Sequence, residues 1–152
     1  MDLDQAIAIA CRVHAGQKDL AGEPYILHPL RVMLRLRERE RDVEVQIAGV
    51  LHDVIEDSKY PYHQRDELWH RRAGPALIEA LEVLTRYKHE PYENYIERVS
   101  KNRIASFVKL ADLEDNLNEQ RLRDLDRGTA ARLLLKYQPA RNKLLAPVAM
   151  WW

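Results

Sequence analysis

The sequence predicts an all-α protein, and three observations support this prediction. Apolar residues recur at steps of three and four along nearly the whole chain, which is the spacing of one buried helix face. No stretch alternates apolar and polar residues as a half-buried β-strand would. Several prolines stand where a helix would begin, a position that tolerates a missing N–H and a fixed φ. No internal repeat or linker interrupts the pattern, so we predict one domain over residues 1–152.

The first half of the chain is expected to hold three helices. The first carries apolar residues from Leu3 onward and ends at Gly16, because glycine readily adopts the backbone that follows a helix. The stretch from Gly16 to Leu27 contains two glycines and one proline and is expected to be an ordered loop. Pro29 suits the first position of the second helix. The third, from Val43 to Asp57, is apolar over a broad face and therefore central.

The second half is expected to hold shorter helices that prolines separate. Pro75 and Pro91 each open one of them, whereas Pro139 is expected to kink or break the last. The expected elements are an exposed connection at 37–42, a turn at 58–62, and helices at about 64–72, 75–86, 91–99, 104–116 and from 129 onward.

Composition and charge exclude several functional classes. The chain has 24 Lys+Arg and 24 Asp+Glu residues, so no basic excess favours nucleic acid or an anionic membrane as partner. The single cysteine, Cys11, cannot form an intramolecular disulfide. We see no signal peptide and no apolar run of about 20 residues, and we expect a cytoplasmic protein. The apolar end, Met150 to Trp152, is expected to dock on the domain or in a homo-oligomer.

Three separated segments carry side chains that suit a divalent metal ion: His28, the pair His52-Asp53, and Asp112. Two imidazoles and two carboxylates form a mixed nitrogen and oxygen set that suits Mn²⁺, Fe²⁺ or Zn²⁺. Because these charged groups adjoin apolar helix faces, burying them would be costly without a compensating cation. The combination therefore predicts a metal site.

Further polar residues accompany this set. Glu56 and Asp57 follow the His-Asp pair on the same flank of the predicted helix, where they could orient water or take its proton. Asn116 lies one helical turn after Asp112 and offers a neutral hydrogen-bonding group on the same side. Acids beside a metal site are typical of a metal-dependent phosphohydrolase.

Each part of the set also has an ordinary structural explanation. A His-Asp pair alone is more often an exposed helical pair than a metal site. His28 could form a hydrogen bond at a helix start, and Asp112 could pair with Lys109 in the core. The combination favours the metal site because each ordinary explanation would have to hold separately.

Four motifs appear in order: HAGQ at 14–17, GEPYILHP at 22–29, LHDVIED at 51–57, and VKLAD at 108–112, which leads to Asn116. Together they resemble the HD-domain hydrolases of the RelA/SpoT homologue family, specifically the stand-alone small alarmone hydrolases. The resemblance covers about residues 3–145.

This resemblance implies a compact all-α HD helical bundle that binds one Mn²⁺ ion and a guanine nucleotide. The implied reaction removes pyrophosphate from the 3′ position of guanosine tetra- or pentaphosphate and leaves GDP or GTP. By motif matching, the implied residues are the metal ligands His28, His52, Asp53 and Asp112, the catalytic acids Glu56 and Asp57, and the nucleotide contact Asn116.

One position departs from the family pattern. Asp19 stands where the relatives usually carry a basic or stacking residue, and an acid there would weaken recognition of a highly anionic ligand. We predict Lys18, its neighbour, as a phosphate contact. Two alternatives stay open: an HD phosphohydrolase acting on a nucleoside 3′-phosphate or a dinucleotide 2′-phosphate, and a non-catalytic nucleotide-binding module. Asp19 favours the first, whereas the intact pair of Glu56 and Asp57 argues against the second.

Overall fold

The structure is a computed structural model that describes residues 1–58, 63, 66–68 and 73–151, and within these ranges it is all-α, as the sequence predicted. The helices are α1 (Leu3–Val13), α2 (Leu27–Glu38), α3 (Val43–Leu51), α4 (Pro75–Leu84), α5 (Tyr92–Val99), α6 (Arg103–Asn116), α7 (Glu119–Arg123) and α8 (Arg127–Ala149). Residues 66–68 are also helical. The rest of the helix predicted at 64–72 and most of the turn predicted at 58–62 lie outside the described residues.

Helix α3 lies at the centre of the fold, as predicted. It packs against α1, α2, α4 and α6, and all of its residues from Val45 to Leu51 are buried. The long helix α8 packs along α6 and contacts α5. None of the helices in the described ranges has the length and hydrophobicity that crossing a membrane requires.

The third helix ends earlier than predicted. Helix α3 stops at Leu51, and residues 52–56 form a tight turn instead of a further stretch of helix. Nδ1 of His52 lies 2.8 Å from the carbonyl oxygen of Gly49, and the N–H of Val54 donates to the carbonyl of Leu51, only three residues back. The tighter hydrogen bonding ends the α-helix. The acids that follow His52 therefore lie on a turn and not on one helical flank.

Two helices also have different bounds from those expected. Helix α2 begins at Leu27, two residues before Pro29. Helix α8 begins at Arg127, because the side chain of Asp126 accepts from a backbone N–H of its first turn. It continues past Pro139 to Ala149, so the predicted break at this proline is wrong. The buried residues of α8 all follow Pro139, and their packing in the core holds that part of the helix in place: Ala140, Leu144 and Val148.

Gly49 permits a close approach of α3 to α2. A Cβ atom at this position would lie 2.5 Å from Cδ1 of Leu36 and 3.5 Å from Cα of Met33, both on α2. Because α2 carries His28 and the turn after α3 carries His52, this approach brings their rings to a centroid distance of 5.2 Å. The glycine therefore permits the close packing of the two elements that carry the histidines.

We expect Gly49→Ala to destabilise the protein by about 1–3 kcal/mol, because the new methyl group overpacks the α2–α3 contact. This loss of stability would exceed the stabilisation of about 1 kcal/mol that alanine provides over glycine through its higher helix propensity. Urea denaturation followed by circular dichroism measures the change. Gly128→Ala in the first turn of α8 is the control, since its Cβ would meet only a side-chain oxygen of Asp126 at 3.3 Å. Equal stability of Gly49→Ala and the wild type would contradict this prediction.

Candidate metal centre

The structure brings the four predicted metal-ligand residues together from three parts of the chain. His28 lies in the first turn of α2, His52 and Asp53 lie on the turn after α3, and Asp112 lies in α6. The candidate ligand atoms of His28, His52 and Asp53 all lie within 4.8 Å of one another. Oδ1 of Asp112 lies 3.0 Å from Nε2 of His28 and 3.9 Å from Nε2 of His52. Asp112 thus borders the cluster of three.

The cluster contains a buried ring nitrogen without a hydrogen bond. Nε2 of His52 lies 2.9 Å from Oδ2 of Asp53, but it has no hydrogen-bond partner among the described residues. His52 is only 3% exposed, so solvent does not readily supply the missing partner. A buried ring nitrogen that faces carboxylates and lacks a hydrogen bond is what a shared cation would satisfy. The residues present therefore fit a divalent metal ion.

His28 is held by a carboxylate on each side. Nε2 lies 3.0 Å from Oδ1 of Asp112, and Nδ1 lies 2.8 Å from Oδ2 of Asp115. Burial opposes a charge on His28, but its hydrogen bonds to Asp112 and Asp115 raise its pKa to about 9. Burial likewise opposes the charge on Asp112, whereas Lys109, at 2.6 Å, and His28 hold the pKa of Asp112 well below its usual range. The pairing of Asp112 with Lys109 that the sequence suggested is thus present beside the cluster.

Asp115 is a site residue that the sequence analysis missed. Its side chain is fully buried, and it accepts hydrogen bonds from His28, from Nε and Nη2 of Arg31 at 2.9 and 3.1 Å, and from Arg121 at 2.6 Å. Burial opposes its charge, but His28 and Arg31 hold the pKa of Asp115 below its usual range. Asp115 lies one turn after Asp112 on α6, and this spacing was the available signal. A carboxylate that accepts from Nδ1 fixes the orientation of a histidine whose Nε2 faces a metal site.

Two further residues support the cluster from the loop before α2. The hydroxyl of Tyr25 donates to Oδ2 of Asp53 at 2.6 Å. The ring of His14 lies beside Tyr25, and its Nδ1 lies 2.8 Å from Oε1 of Gln17. Burial lowers the pKa of His14, so it stays neutral. These contacts fix Asp53 and brace the loop.

The two predicted catalytic acids lie at the wall of a cavity next to Asp53. The cavity has a volume of about 360 Å³, and both Glu56 and Asp57 line it. Glu56 is exposed, and its Oε2 accepts from the backbone N–H of Arg86 at 3.2 Å. Burial and the neighbouring charges of Asp53 and Glu56 raise the pKa of Asp57 to about 6. Asp57 can therefore exchange a proton near neutral pH.

The cavity wall also contains basic, aromatic and aliphatic side chains, although the chain as a whole carries no net charge. The basic residues that line it are Lys18, Arg86, Lys109, Arg121 and Lys136, and the aromatic ones are Tyr25, Tyr92, Tyr95 and Tyr137. Of the predicted substrate contacts, Lys18 and Asn116 both line the cavity. Nδ2 of Asn116 donates to Oδ1 of Asp112 at 2.6 Å.

Asp19 proves to organise the loop in which it lies. Its Oδ1 accepts from the backbone N–H groups of Ala21 and Glu23 at 2.9 and 3.0 Å. Its Oδ2 pairs with Arg121 at 3.3 Å. Burial opposes the charge of Asp19, but these backbone hydrogen bonds and Arg121 lower its pKa. The charge that was expected to repel an anionic ligand is therefore compensated within the protein.

Comparison with known proteins agrees with this geometry. A family model described as HD domain matches residues 6–128. The guanosine-3′,5′-bis(diphosphate) 3′-pyrophosphohydrolase of Aquifex aeolicus is 36% identical over 121 residues, which are 76% of this chain and 17% of that protein. The bifunctional (p)ppGpp synthase/hydrolase SpoT of Escherichia coli K12 is 32% identical over 93% of this chain and 22% of the relative. The chain thus spans about a fifth of the length of these relatives.

A solved structure shows the same fold. It is described as a metazoan orthologue of SpoT that hydrolyses ppGpp, and it superposes with a TM-score of 0.75 at 23% identity. The match covers 97% of this chain and 91% of that one. The likeness confirms the predicted all-α bundle, and the names of the relatives agree with the resemblance that the four motifs predicted.

We expect the metal-free protein to lose stability as the pH rises from about 6.5 to about 9. The folded-state pKa of His28, about 9, lies above its ordinary value of 6.5. Its stabilising contribution is therefore fully present below pH 6.5 and is lost as the pH rises through 9. The shift corresponds to a change on the order of 3 kcal/mol.

Urea denaturation in the presence of a chelator, at several pH values across this range, measures the effect. The control is His28→Gln, which cannot take up the proton. An unchanged pH dependence in this variant would show that another group is responsible.

Proposed function

This chain belongs to the HD-domain family, and we propose that it is a metal-dependent phosphohydrolase that removes pyrophosphate from the 3′ position of guanosine tetra- or pentaphosphate. The observation that carries the proposal is the buried cluster of His28, His52 and Asp53, bordered by Asp112, at a cavity that basic side chains also line. Cations concentrated beside a metal site, in a chain without net charge, suit a small polyanion better than a nucleic acid. The names of the relatives support the same reaction.

We assign the metal to four residues, His28, His52, Asp53 and Asp112, and we propose Mn²⁺ as the ion. A divalent cation bound there would polarise the scissile phosphate and lower the pKa of the attacking water. Asp115 keeps the imidazole of His28 in place by accepting from Nδ1, which leaves Nε2 directed at the cluster.

Glu56 and Asp57 are assigned to proton transfer. Glu56 lies at the cavity wall, where its carboxylate is held by the N–H of Arg86 and can orient water and accept its proton. Asp57, with a pKa near 6, both takes up and releases a proton at neutral pH. Two adjacent acids with different surroundings can thus complete the acid and base steps of a hydrolysis.

The basic residues of the wall are assigned to the phosphate groups of the substrate. Lys136 lies with its Nζ 4.7 Å from the centre of the Tyr92 ring, and burial together with Arg86 and Lys109 lowers its pKa. An added anion would relieve this repulsion among cations. We assign Lys18 to a phosphate as well, and Asn116 to the nucleotide, because both line the cavity.

A second candidate substrate is another nucleotide with a 2′- or 3′-phosphate. Asp19 supports it, because an acid lines the cavity wall even though Arg121 compensates its charge. The metal cluster and the acids would serve either substrate equally. A non-catalytic nucleotide-binding role is less well supported, because both Glu56 and Asp57 are present at the cavity.

Hydrolysis of guanosine tetraphosphate by the purified protein with Mn²⁺ tests the proposal directly. We expect GDP and pyrophosphate, resolved by ion-exchange chromatography, and loss of both products after chelation. Turnover of only a 2′- or 3′-phosphorylated nucleotide would select the second candidate. No turnover of any phosphorylated nucleotide by the metal-loaded protein would contradict both.

We expect two substitutions to separate metal binding from proton transfer. His52→Ala should abolish metal binding and turnover together, because it removes a proposed ligand. Glu56→Gln should retain the metal and lose turnover by about 10²- to 10⁴-fold, because the amide cannot accept the proton. Bound Mn²⁺ is measured by electron paramagnetic resonance. Glu79→Gln, an exposed acid on α4, is the matched control and should behave as the wild type. Full activity of Glu56→Gln would remove its assigned role.

A further inference from the structure

We propose that Arg121 is a positioning residue that transmits occupancy of the metal site to the loop at residues 18–24, here named the cavity loop. The inference rests on the proposed metal site and concerns residues beyond the ligands. Lys18, Leu20 and Ala21 of the cavity loop line the cavity, so the loop lies where a substrate would bind.

The side chain of Arg121 bridges two carboxylates that belong to distant parts of the chain. Its Nη1 lies 2.6 Å from Oδ2 of Asp115 on α6, and its Nη2 lies 3.3 Å from Oδ2 of Asp19. The planar guanidinium holds its donors in a fixed fork, so a contact at each end sets the distance between the two carboxylates.

At one end, the bridge reaches the metal centre. Oδ2 of Asp115, which Arg121 contacts, also accepts from Nδ1 of His28 at 2.8 Å. His28 loses rotational freedom when its Nε2 binds a cation, and Asp115 shares this restraint through a short hydrogen bond between buried groups. Arg121 is the next group in the chain of contacts.

At the other end, the bridge reaches the residue that shapes the cavity loop. Oδ1 of Asp19 accepts from the N–H groups of Ala21 and Glu23, and the N–H of Asp19 donates to the carbonyl of Glu23 at 2.9 Å. Among the described residues, Arg121 alone forms an ion pair with Asp19. The side chain of Arg121 therefore connects the cavity loop to Asp115 on α6.

The bridge is not needed to keep Asp115 neutralised. Arg31 forms three hydrogen bonds to this carboxylate, and Nε of Arg35 lies 3.6 Å from it. Removal of Arg121 thus leaves Asp115 with cationic partners, and the fold can be expected to survive. What is lost is the connection that Arg121 makes between His28 and the cavity loop, whereas the hydrogen bond from Tyr25 to Asp53 remains. Metal binding should consequently restrict the loop more strongly in the wild type than in a variant in which either contact of Arg121 is broken.

Hydrogen exchange of the cavity loop, measured by mass spectrometry on the full chain with and without Mn²⁺ and without nucleotide, tests the proposal. In the wild type we expect Mn²⁺ to slow exchange of the loop amides by about five-fold or more. Arg121→Gln and Asp19→Asn should bind Mn²⁺, as monitored by electron paramagnetic resonance, and lose most of this slowing. Asp19→Asn keeps an oxygen for the amides of Ala21 and Glu23, so it removes the ion pair with the least change to the loop.

Two further variants distinguish geometry from charge. Arg121→Lys keeps the charge but cannot bridge both carboxylates with a fixed fork, so it should lose the slowing as well. Arg123→Gln on the same helix α7 removes an exposed ion pair with Glu119 and should retain the slowing of exchange by Mn²⁺. The proposal is overturned if Mn²⁺ slows hydrogen exchange of the loop in Asp19→Asn as much as in the wild type. It is also overturned if bound Mn²⁺ does not change exchange of the loop in the wild type. A wild type that binds no Mn²⁺ would instead contradict the metal site itself, and the coupling with it.

Discussion

The carboxylate of Asp115 has no exposure to solvent, and the cost of burying its charge is met by His28, Arg31 and Arg121. An uncompensated charge in such a place would cost several kcal/mol, so α2 and α6 must dock in an arrangement that supplies His28 and Arg31, and Arg121 of α7 adds a further cation. That arrangement also directs Nε2 of His28 toward Asp112. The same buried ion cluster thus contributes to the stability of the bundle and fixes the position of His28 in the candidate metal centre.

The cavity shows why whole-chain charge is a poor guide to function. Its lining combines acidic and basic side chains, the acids including Asp53 and Asp112 of the candidate metal centre. The two groups cancel in the total of 24 against 24, yet they are concentrated in one cavity. Such a lining suits a ligand that presents phosphate both to a metal and to cations around it.

Helical periodicity predicted the fold class and the central position of α3, because both follow from the spacing of apolar residues. The motifs contain the residues that were predicted as metal ligands, and these residues lie next to one another in the structure. Asp115 escaped notice because its partner His28 is 87 positions away in sequence, and α7 was missed because five residues show no periodicity. The continuation of α8 past Pro139 depends on tertiary contacts, which local propensity does not report. The early end of α3 follows from hydrogen bonds of His52 and Val54, which the spacing of apolar residues does not report.

Helix α8 presents Leu133, Lys136 and Tyr137 to the cavity, while a separate stretch of the same helix, after Pro139, is buried in the core. The candidate metal centre draws none of its residues from α8. Under the proposed function, α8 therefore contributes to the wall that faces the ligand without supplying a metal ligand or a catalytic acid. Substitutions on this face of α8 would then change the surroundings of the bound nucleotide and leave the residues assigned to the metal and to proton transfer in place.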